Sequence, residues 1–442
     1  MNCIQIFVSS HAVLISALIL AAAYALIASE KINKVTVALL GACLTILFGL
    51  VSQTKFEGEK VVREYFVNYI DFNVIFLLIA MMIIVAITAR SGVFSYAANK
   101  ILKATKGHPV KILVALGVFT AVTSAFLDNV TTVILLMPIT FAISDKLNIK
   151  PIPFLITEIF CSNIGGTATL IGDPPNIIIG SAAGLSFMDF VRELTGVVAV
   201  IMLTVIAAMV LFFKNELKTT PERMAAVAKI DDTEVVLNKK LMARSLTVLG
   251  LVIVGFVMHD YLHIETCVAA LLGASILLLF EKPENVWKDV EWNTIFFFIG
   301  LFIIIGGLEA TGGIRMMAEW ILRITGGSQG ATAMIILWAS GIISGIIDNI
   351  PYTATMAPMI AEIQRTMGAH YAHPLWWCLS LGACLGGNMT IIGAAANVIV
   401  SENAAREGYP IPFMKFMKYG VATMLISLII STVYIYLRFL IS

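Results

Sequence analysis

Charge is what this chain of 442 residues has least of. Asp, Glu, Lys and Arg make up 13% of it and hydrophobic residues 59%, with a mean hydropathy of +0.93. A water-soluble globular chain carries about 25% charged residues, so a soluble fold is excluded. Net charge is +1, which leaves no basic surface for nucleic acid or an acidic partner. No Lys or Arg precedes Lys31, so the first apolar stretch, His11 to Ala28, lacks the charged start of a signal peptide and reads as a membrane-spanning helix. The six cysteines, Cys3, Cys43, Cys161, Cys267, Cys378 and Cys384, show no metal-ligand spacing and mostly sit in apolar stretches, as small buried thiols do. His259 and His263 near Asp260 and Glu265, and His370 with His373, likewise lack a ligand pattern. A nucleotide-binding P-loop is missing, and no nucleophile, base and orienting group form a set. Neither ATP hydrolysis nor enzyme chemistry is expected, and no cofactor beyond a coupling Na+ or H+.

What is present is a succession of apolar runs. A helix needs about 20 apolar residues to cross the hydrocarbon core. His11 to Ser29, Val35 to Gln53, Phe72 to Ala89, Leu194 to Phe213, Leu241 to Met258, Tyr261 to Phe280, Asn293 to Leu308 and Tyr419 to Leu437 qualify. Ile112 to Leu127 and Asn129 to Ser144 are uncharged runs separated by Asp128, each about 24 Å long as helix and so short of a full crossing. They form two short spans or one re-entrant hairpin. Ile152 to Gly184 would be about 50 Å as one straight helix, yet holds Gly165, Gly166, Gly172, Pro174 and Pro175 in its middle. A helix broken near the bilayer centre fits better.

The chain also repeats itself. Asp71, Asn73, Ile75 and Phe76 fall on Glu291, Asn293, Ile295 and Phe296; Gly92 falls on Gly312, Asp128-Asn129 on Asp348-Asn349, and Pro138 on Pro358. After one residue of slippage, Gly165-Gly166 falls on Gly386-Gly387, Thr169 on Thr390, Gly172 on Gly393 and Asn176 on Asn397. Earlier, Val37 to Ala42 matches Ala269 to Ala274. The expected architecture is therefore all-α: ten transmembrane helices plus two re-entrant hairpins, in two repeats. Residues 1–215 form the first, with its hairpin at 112–144 and its broken helix at 152–187. A linker spans 216–240, and residues 241–442 form the second, with hairpin 329–361 and broken helix 374–405.

Five crossings per repeat make the parity odd, so the second copy is inverted. Cytoplasmic loops collect Lys and Arg. This topology puts 21 of the 29 basic residues on one side and 8 on the other, whereas counting each broken helix as two crossings gives 16 and 13. The inverted arrangement places both termini outside a cell (inner) membrane, the linker with Asp231, Asp232 and Glu234 in the cytoplasm, and the two hairpins entering from opposite sides.

Inverted repeats with interrupted helices are the architecture of secondary transporters, in which freed backbone groups and half-helix ends bind a solute at midmembrane. In Gly172-Asp173-Pro174-Pro175-Asn176, Asp173 is placed as an N-cap and Pro174 as a first helical residue. That half-helix end would suit an anion or carbonyl-like oxygen. Asn163, Gly166, Thr167 and Thr169 offer hard oxygen ligands for sodium, or partners for a small oxyacid. Asn388 and Thr390 keep that content in the second copy, where Ala394-Ala395-Ala396 replaces Asp-Pro-Pro. Aspartate in apolar surroundings is expensive, so Asp128 and Asp348 either cap the second helices of their hairpins, bind an ion, or do both. Both would suit proton and cation exchange. Glu158 is a further candidate for proton coupling, or a glutamate bonded to a hydroxyl.

Ser124-Ala125-Phe126-Leu127-Asp128-Asn129-Val130-Thr131-Thr132, Ser162 to Thr169, Gly172 to Asn176 and Ser344 to Pro351 resemble the ArsB/NhaD permeases of the ion transporter superfamily, in particular the branch containing the melanosomal P protein. The resemblance covers essentially the whole chain. It implies the fold of the divalent anion/sodium symporters, a scaffold that usually forms a homodimer, and elevator-like movement of a transport domain. Family activities include sodium/proton antiport, efflux of arsenite or silicic acid and, more distantly, dicarboxylate and citrate carriage. Dicarboxylate relatives carry Ser-Asn-Thr at the hairpin tips where this chain has Asp-Asn, which favours proton or cation chemistry. The expected site comprises Asp128, Asn129, Thr132, Glu158, Asn163, Gly166, Thr167, Thr169, Asp173, Asn176, Asp348, Asn349, Thr353, Asn388, Thr390 and Asn397, with Na+ at Asp128, Asn129, Asp348 and Asn349. The leading expectation is sodium/proton antiport. Arsenite-type efflux follows, and a sodium-coupled dicarboxylate or citrate carrier is third.

Overall fold

The computed structural model describes residues 10–29, 31–51, 53–57, 60–64, 68–228 and 238–441. Asp231, Asp232, Glu234 and Cys3 lie outside the described residues. The first half of the chain runs through α1 (Ala12–Ala28), α2 (Lys34–Leu47), α3 (Phe72–Arg90), α4 (Val93–Thr105), α5 (Pro109–Ser124), α6 (Asn129–Leu147), α7 (Ile152–Gly166), α8 (Pro174–Ala183) and α9 (Phe187–Phe213). The second runs through α10 (Lys239–Val257), α11 (Thr266–Leu278), α12 (Trp292–Ala310), α13 (Gly313–Ile324), α14 (Gln329–Ser344), α15 (Asn349–Met367), α16 (Ala369–Gly386), α17 (Ala395–Arg406) and α18 (Phe413–Ile435), which ends in a π-helical turn, Tyr436–Leu440. Short helical pieces at Pro221–Ala228, His259–Leu262 and Pro283–Val286 lie in the connections.

One loop adds a short strand pair to an otherwise all-helical fold. Residues between α2 and α3 form an antiparallel pair, β1 (Gln53–Glu57) and β2 (Lys60–Glu64). Thr54, Phe56, Val61 and Val62 have strand propensity, and α2 stops at Leu47, short of Gln53, because Gly49 turns left-handed at φ +69° and ends the helix.

The helix starts and stops follow local chemistry. Asp71 caps α3 by accepting from Asn73 N at 3.0 Å and Val74 N at 3.2 Å. Ser186 and Asp189 form a capping box on α9. Gly92 and Gly312, at φ +78° and +87°, turn α3 into α4 and α12 into α13, a left-handed conformation that glycine adopts without a Cβ penalty.

The packing is reciprocal between halves. Helix α5 lies on α7 as α14 lies on α16; α2 packs on α12 as α11 packs on α3; α8 packs on α15 as α17 packs on α6. Every residue of α7 is buried. By contrast Leu40, Leu47, Leu203, Leu211, Leu251, Leu272 and Leu279 are exposed on the outer helices. Among the described residues, six helices, α3, α6, α9, α10, α12 and α18 with its π turn, are long and apolar enough to cross a membrane. An exterior this apolar around a polar centre is that of a multi-pass membrane protein.

Candidate functional site

Two matched chain breaks form the centre. Helix α7 stops at Gly166 and α8 starts at Pro174; α16 stops at Gly386 and α17 starts at Ala395. Close approach of α7 to α5 requires Gly165, where a Cβ would sit 2.1 Å from the Ala121 carbonyl oxygen, and Gly386 meets Gly341 O at 2.4 Å in the same way. At Gly166 a Cβ would lie 2.5 Å from Gly172 O, so the segment between the half-helices folds back on itself.

Backbone carbonyls freed by the breaks need donors, because protein covers them from water. Asn176 Nδ2 donates to Thr167 O at 3.1 Å and Thr169 O at 2.9 Å; Asn397 Nδ2 donates to Gly387 O at 2.7 Å and Thr390 O at 2.8 Å. Thr169 Oγ1 donates to Ala125 O, and Thr390 Oγ1 to Gly345 O at 2.6 Å, tying each break to the end of its half's α5 or α14. Thr167 Oγ1 turns back to Asn163 O at 2.8 Å, and Thr132 Oγ1 to Asp128 O at 2.9 Å. The side-chain donors of Asn176, Asn397, Thr132, Thr167, Thr169 and Thr390 thus go to backbone carbonyls.

Between the breaks lies a chain of side chains from both halves. Asn129 Nδ2 donates to Asn163 Oδ1 at 3.1 Å and to Asp173 Oδ1 at 3.2 Å. Asn163 Nδ2 donates to Asn388 Oδ1 at 2.9 Å and Asn397 Oδ1 at 3.0 Å. Asn349 Nδ2 lies 3.3 Å from Asp173 Oδ2. All of these residues are buried. Asn388 Nδ2 and Thr353 Oγ1 have no partner among the described residues.

The expected role of Asp173 needs correction. It occupies the N-cap position of α8, with Pro174 at N1, but its carboxylate makes no cap bond. Prolines at the first two helical positions carry no N–H, and the Asn176 N–H goes to the Asp173 carbonyl at 2.9 Å. The carboxylate is thereby left to accept from the two tip asparagines instead.

Asp128 and Asp348 do cap. Asp128 Oδ1 accepts from Thr131 N at 2.8 Å and Oδ2 from Thr131 Oγ1 at 2.5 Å; Asp348 Oδ1 accepts from Ile350 N at 3.1 Å. Asp348 Oδ2 in addition pairs with Lys34 Nζ at 3.0 Å.

A cavity of about 40 Å³ opens beside this cluster, lined by Asp128, Asn129, Asp173, Asn349, Lys34, Glu291 and Thr294 together with Leu78, Met81, Ile171 and Ile177. Room for one water takes roughly 10–15 Å³ on this measure, so the space suits a small ion with a few waters. Its wall carries three carboxyl groups, Asp128, Asp173 and Glu291, against the ammonium of Lys34. Sequence reasoning missed Lys34 and Glu291 as site residues. Glu291 had a signal, since it matches Asp71 at the start of the corresponding helix; Lys34 reads as an ordinary loop charge.

Glu158 is not brought to this cluster. It is buried between α7 and α6, where Oε1 accepts from Thr140 Oγ1 at 2.6 Å. Glu158→Gln keeps an oxygen acceptor for that hydroxyl. Its transport rate in liposomes should stay within about twofold of the wild type, as expected when a single neutral hydrogen bond is preserved; a loss of tenfold or more would give Glu158 a part in coupling.

Broken helices, side chains from both halves meeting in a buried polar centre, and an apolar exterior together define a membrane transporter. The chain belongs to the citrate transporter family, whose model matches residues 24–382. It is 42% identical over 427 residues to an uncharacterized transporter of Mycobacterium tuberculosis, covering 95% of this chain and 97% of that one. It is 31% identical over 503 residues to the P protein of Homo sapiens, covering 96% of this chain and 59% of P protein. Among solved structures it resembles the YdaH transporter of Alcanivorax borkumensis, with a TM-score of 0.57 at 11% identity over 97% of this chain and 98% of that one. That likeness speaks to the fold alone.

Proposed function

We propose that this transporter exchanges sodium for protons, as an ArsB/NhaD-type member of its family. The carrying observation is the cavity: small, and walled by Asp128, Asp173 and Glu291 against Lys34. Paired carboxylates with neutral amide neighbours offer hard oxygen to a sodium ion and alternative sites to a proton. Asp128, Asp173 and Asp348 carry the exchange in this reading, and the asparagines position them. A tricarboxylate such as citrate, the solute in the family's name, would face a wall of like charge and have to displace the packing around it.

The proposed setting is a cell (inner) membrane, with ten spans, two re-entrant hairpins (α5–α6 and α14–α15) and both termini outside. Reciprocal packing of the halves supports a two-fold relation between them, and odd parity then makes it an inversion. The hairpins and broken helices would move against α1–α3 and α10–α12 in an elevator-type cycle, the latter forming the base of a homodimer.

A second reading, efflux of a small oxyacid such as arsenite, is favoured by Asn388 Nδ2 and Thr353 Oγ1, which are buried without partners among the described residues and could donate to its oxygens. Proteoliposomes loaded with a pH dye separate the readings. An inward sodium pulse should drive protons out and alkalinise the lumen. Arsenite or citrate flux without sodium-driven proton movement would overturn the exchange reading.

A further inference from the structure

Lys34 is one of the residues that make the two halves unequal. It is the first residue of α2, and the first residue of the matching helix α11 is Thr266. Its ammonium lies 3.0 Å from Asp348 Oδ2, with Asp348 almost fully buried and Lys34 about one-third exposed. The ammonium also stands 5.1 Å from the Phe297 ring centroid on α12, an attractive position for a cation. A second contact reaches the same tip from the neighbouring helix: Tyr24 on α1 donates to Pro351 O at 2.5 Å and also bonds Thr355 Oγ1, both on α15. Two side chains of α1 and α2 thus hold the tip of the α14–α15 pair.

The pairing is selective. Asp128, the counterpart of Asp348, receives only its own Thr131 hydroxyl and backbone among the described hydrogen bonds. The Asp348 carboxylate takes Lys34 from α2; near it, the Tyr24 hydroxyl from α1 reaches the same tip at Pro351, and Asn349, next in the chain, donates to Asp173. Wherever the tip moves away from α2, Asp348 loses its cation, and a nearly buried carboxylate without one is strongly disfavoured as an anion. A free cation can then take the ammonium's place.

We propose that Lys34 is a tethered counter-cation for Asp348, which holds the cargo-free protein in the arrangement seen here and must be displaced before a transported cation shares that carboxylate. This rests on the exchange reading for the identity of the cargo, but not for the tether itself.

Spin labels test it without transport. Leu18 on α1 and Ile346 before the Asp348 tip are both exposed. With Cys3 and Cys43 replaced by serine, cysteines at those two positions carry the labels on full-length protein in liposomes free of sodium. Wild type should give one dominant distance. Lys34→Thr, which copies the second half, should show a second, longer population of at least about a third of molecules. Lys34→Arg, which keeps the charge, should match wild type, and Asp348→Asn should behave like Lys34→Thr with no further change in the double variant. A distance distribution in Lys34→Thr identical to wild type would overturn the tether, as would an additional shift in the double variant. In sodium-driven proton exchange, Lys34→Thr should lower the half-saturating sodium concentration about tenfold. A distance shift accompanied by no sodium response in either protein would retain the tether and sink the sodium reading.

Discussion

Asp173→Ala should abolish coupled transport, with residual flux at least about 100-fold below wild type. The substitution strands one N–H of Asn129, which keeps its bond to Asn163, and the amide of Asn349, donors to this carboxylate from opposite halves. Each unsatisfied buried donor costs about 1–3 kcal/mol, so roughly 2–6 kcal/mol of the site's organisation is at stake, and a factor of 100 needs only about 2.8 kcal/mol. The cavity also loses one of its acidic groups. Asp173→Asn keeps the volume but can turn its own amide hydrogens toward two donors; it should assemble in detergent and still fail to transport. Initial rates in liposomes, read beside gel-filtration profiles, check both. Rates within fivefold of wild type in either variant would make Asp173 a packing residue.

The second large effect falls on the glycines that let the half-helices approach. In Gly165→Ala the new methyl would sit 2.1 Å from Ala121 O and 2.5 Å from Ala121 Cα; in Gly386→Ala it would sit 2.4 Å from Gly341 O. These neighbours are backbone atoms, which cannot swing aside as a side chain can. Overpacking a core costs about 1–3 kcal/mol, sometimes more, and contacts this short belong at or beyond the upper end. Both variants should lose the folded, monodisperse protein at growth temperature or lower its melting temperature in detergent by several degrees. Gly196→Ala and Gly250→Ala, with nothing within 4 Å of the added carbon, should leave it unchanged, and could raise it slightly because both glycines lie inside helices. Equal melting behaviour across the four would contradict the packing of α5 on α7 and α14 on α16.

What was legible in the sequence is what local pattern encodes. Glycines mark both breaks and prolines the first, a lone aspartate within an apolar run marks each helix pair, and the repeat in register points to matched elements; α5 to α8 and α14 to α17 are separated at those glycines and aspartates. Even the pairing of Asn176 with Asn397 was visible as a matched position, although their common duty of satisfying loose carbonyls needed coordinates. Direction was not legible. Asp173 has the sequence of a cap, yet two following prolines remove the donors it would cap, and its carboxylate turns to the other half. Lys34 sits 314 residues from Asp348 in sequence, a separation that no periodicity reports. Glu158 carries the same intramembrane charge signal as the tip aspartates, but a hydroxyl on α6 takes it up. Buried charge tells where a partner must exist; only the fold says whether that partner is a neighbour, a distant lysine or the cargo.

The most direct test is equilibrium binding of radioactive sodium to purified protein across a pH series. Binding should be saturable, weaken as pH falls because protons compete for the same carboxylates, and disappear in Asp173→Asn and Asp128→Asn. Absence of sodium binding at every pH, with saturable binding of citrate or arsenite in its place, would contradict the exchange reading.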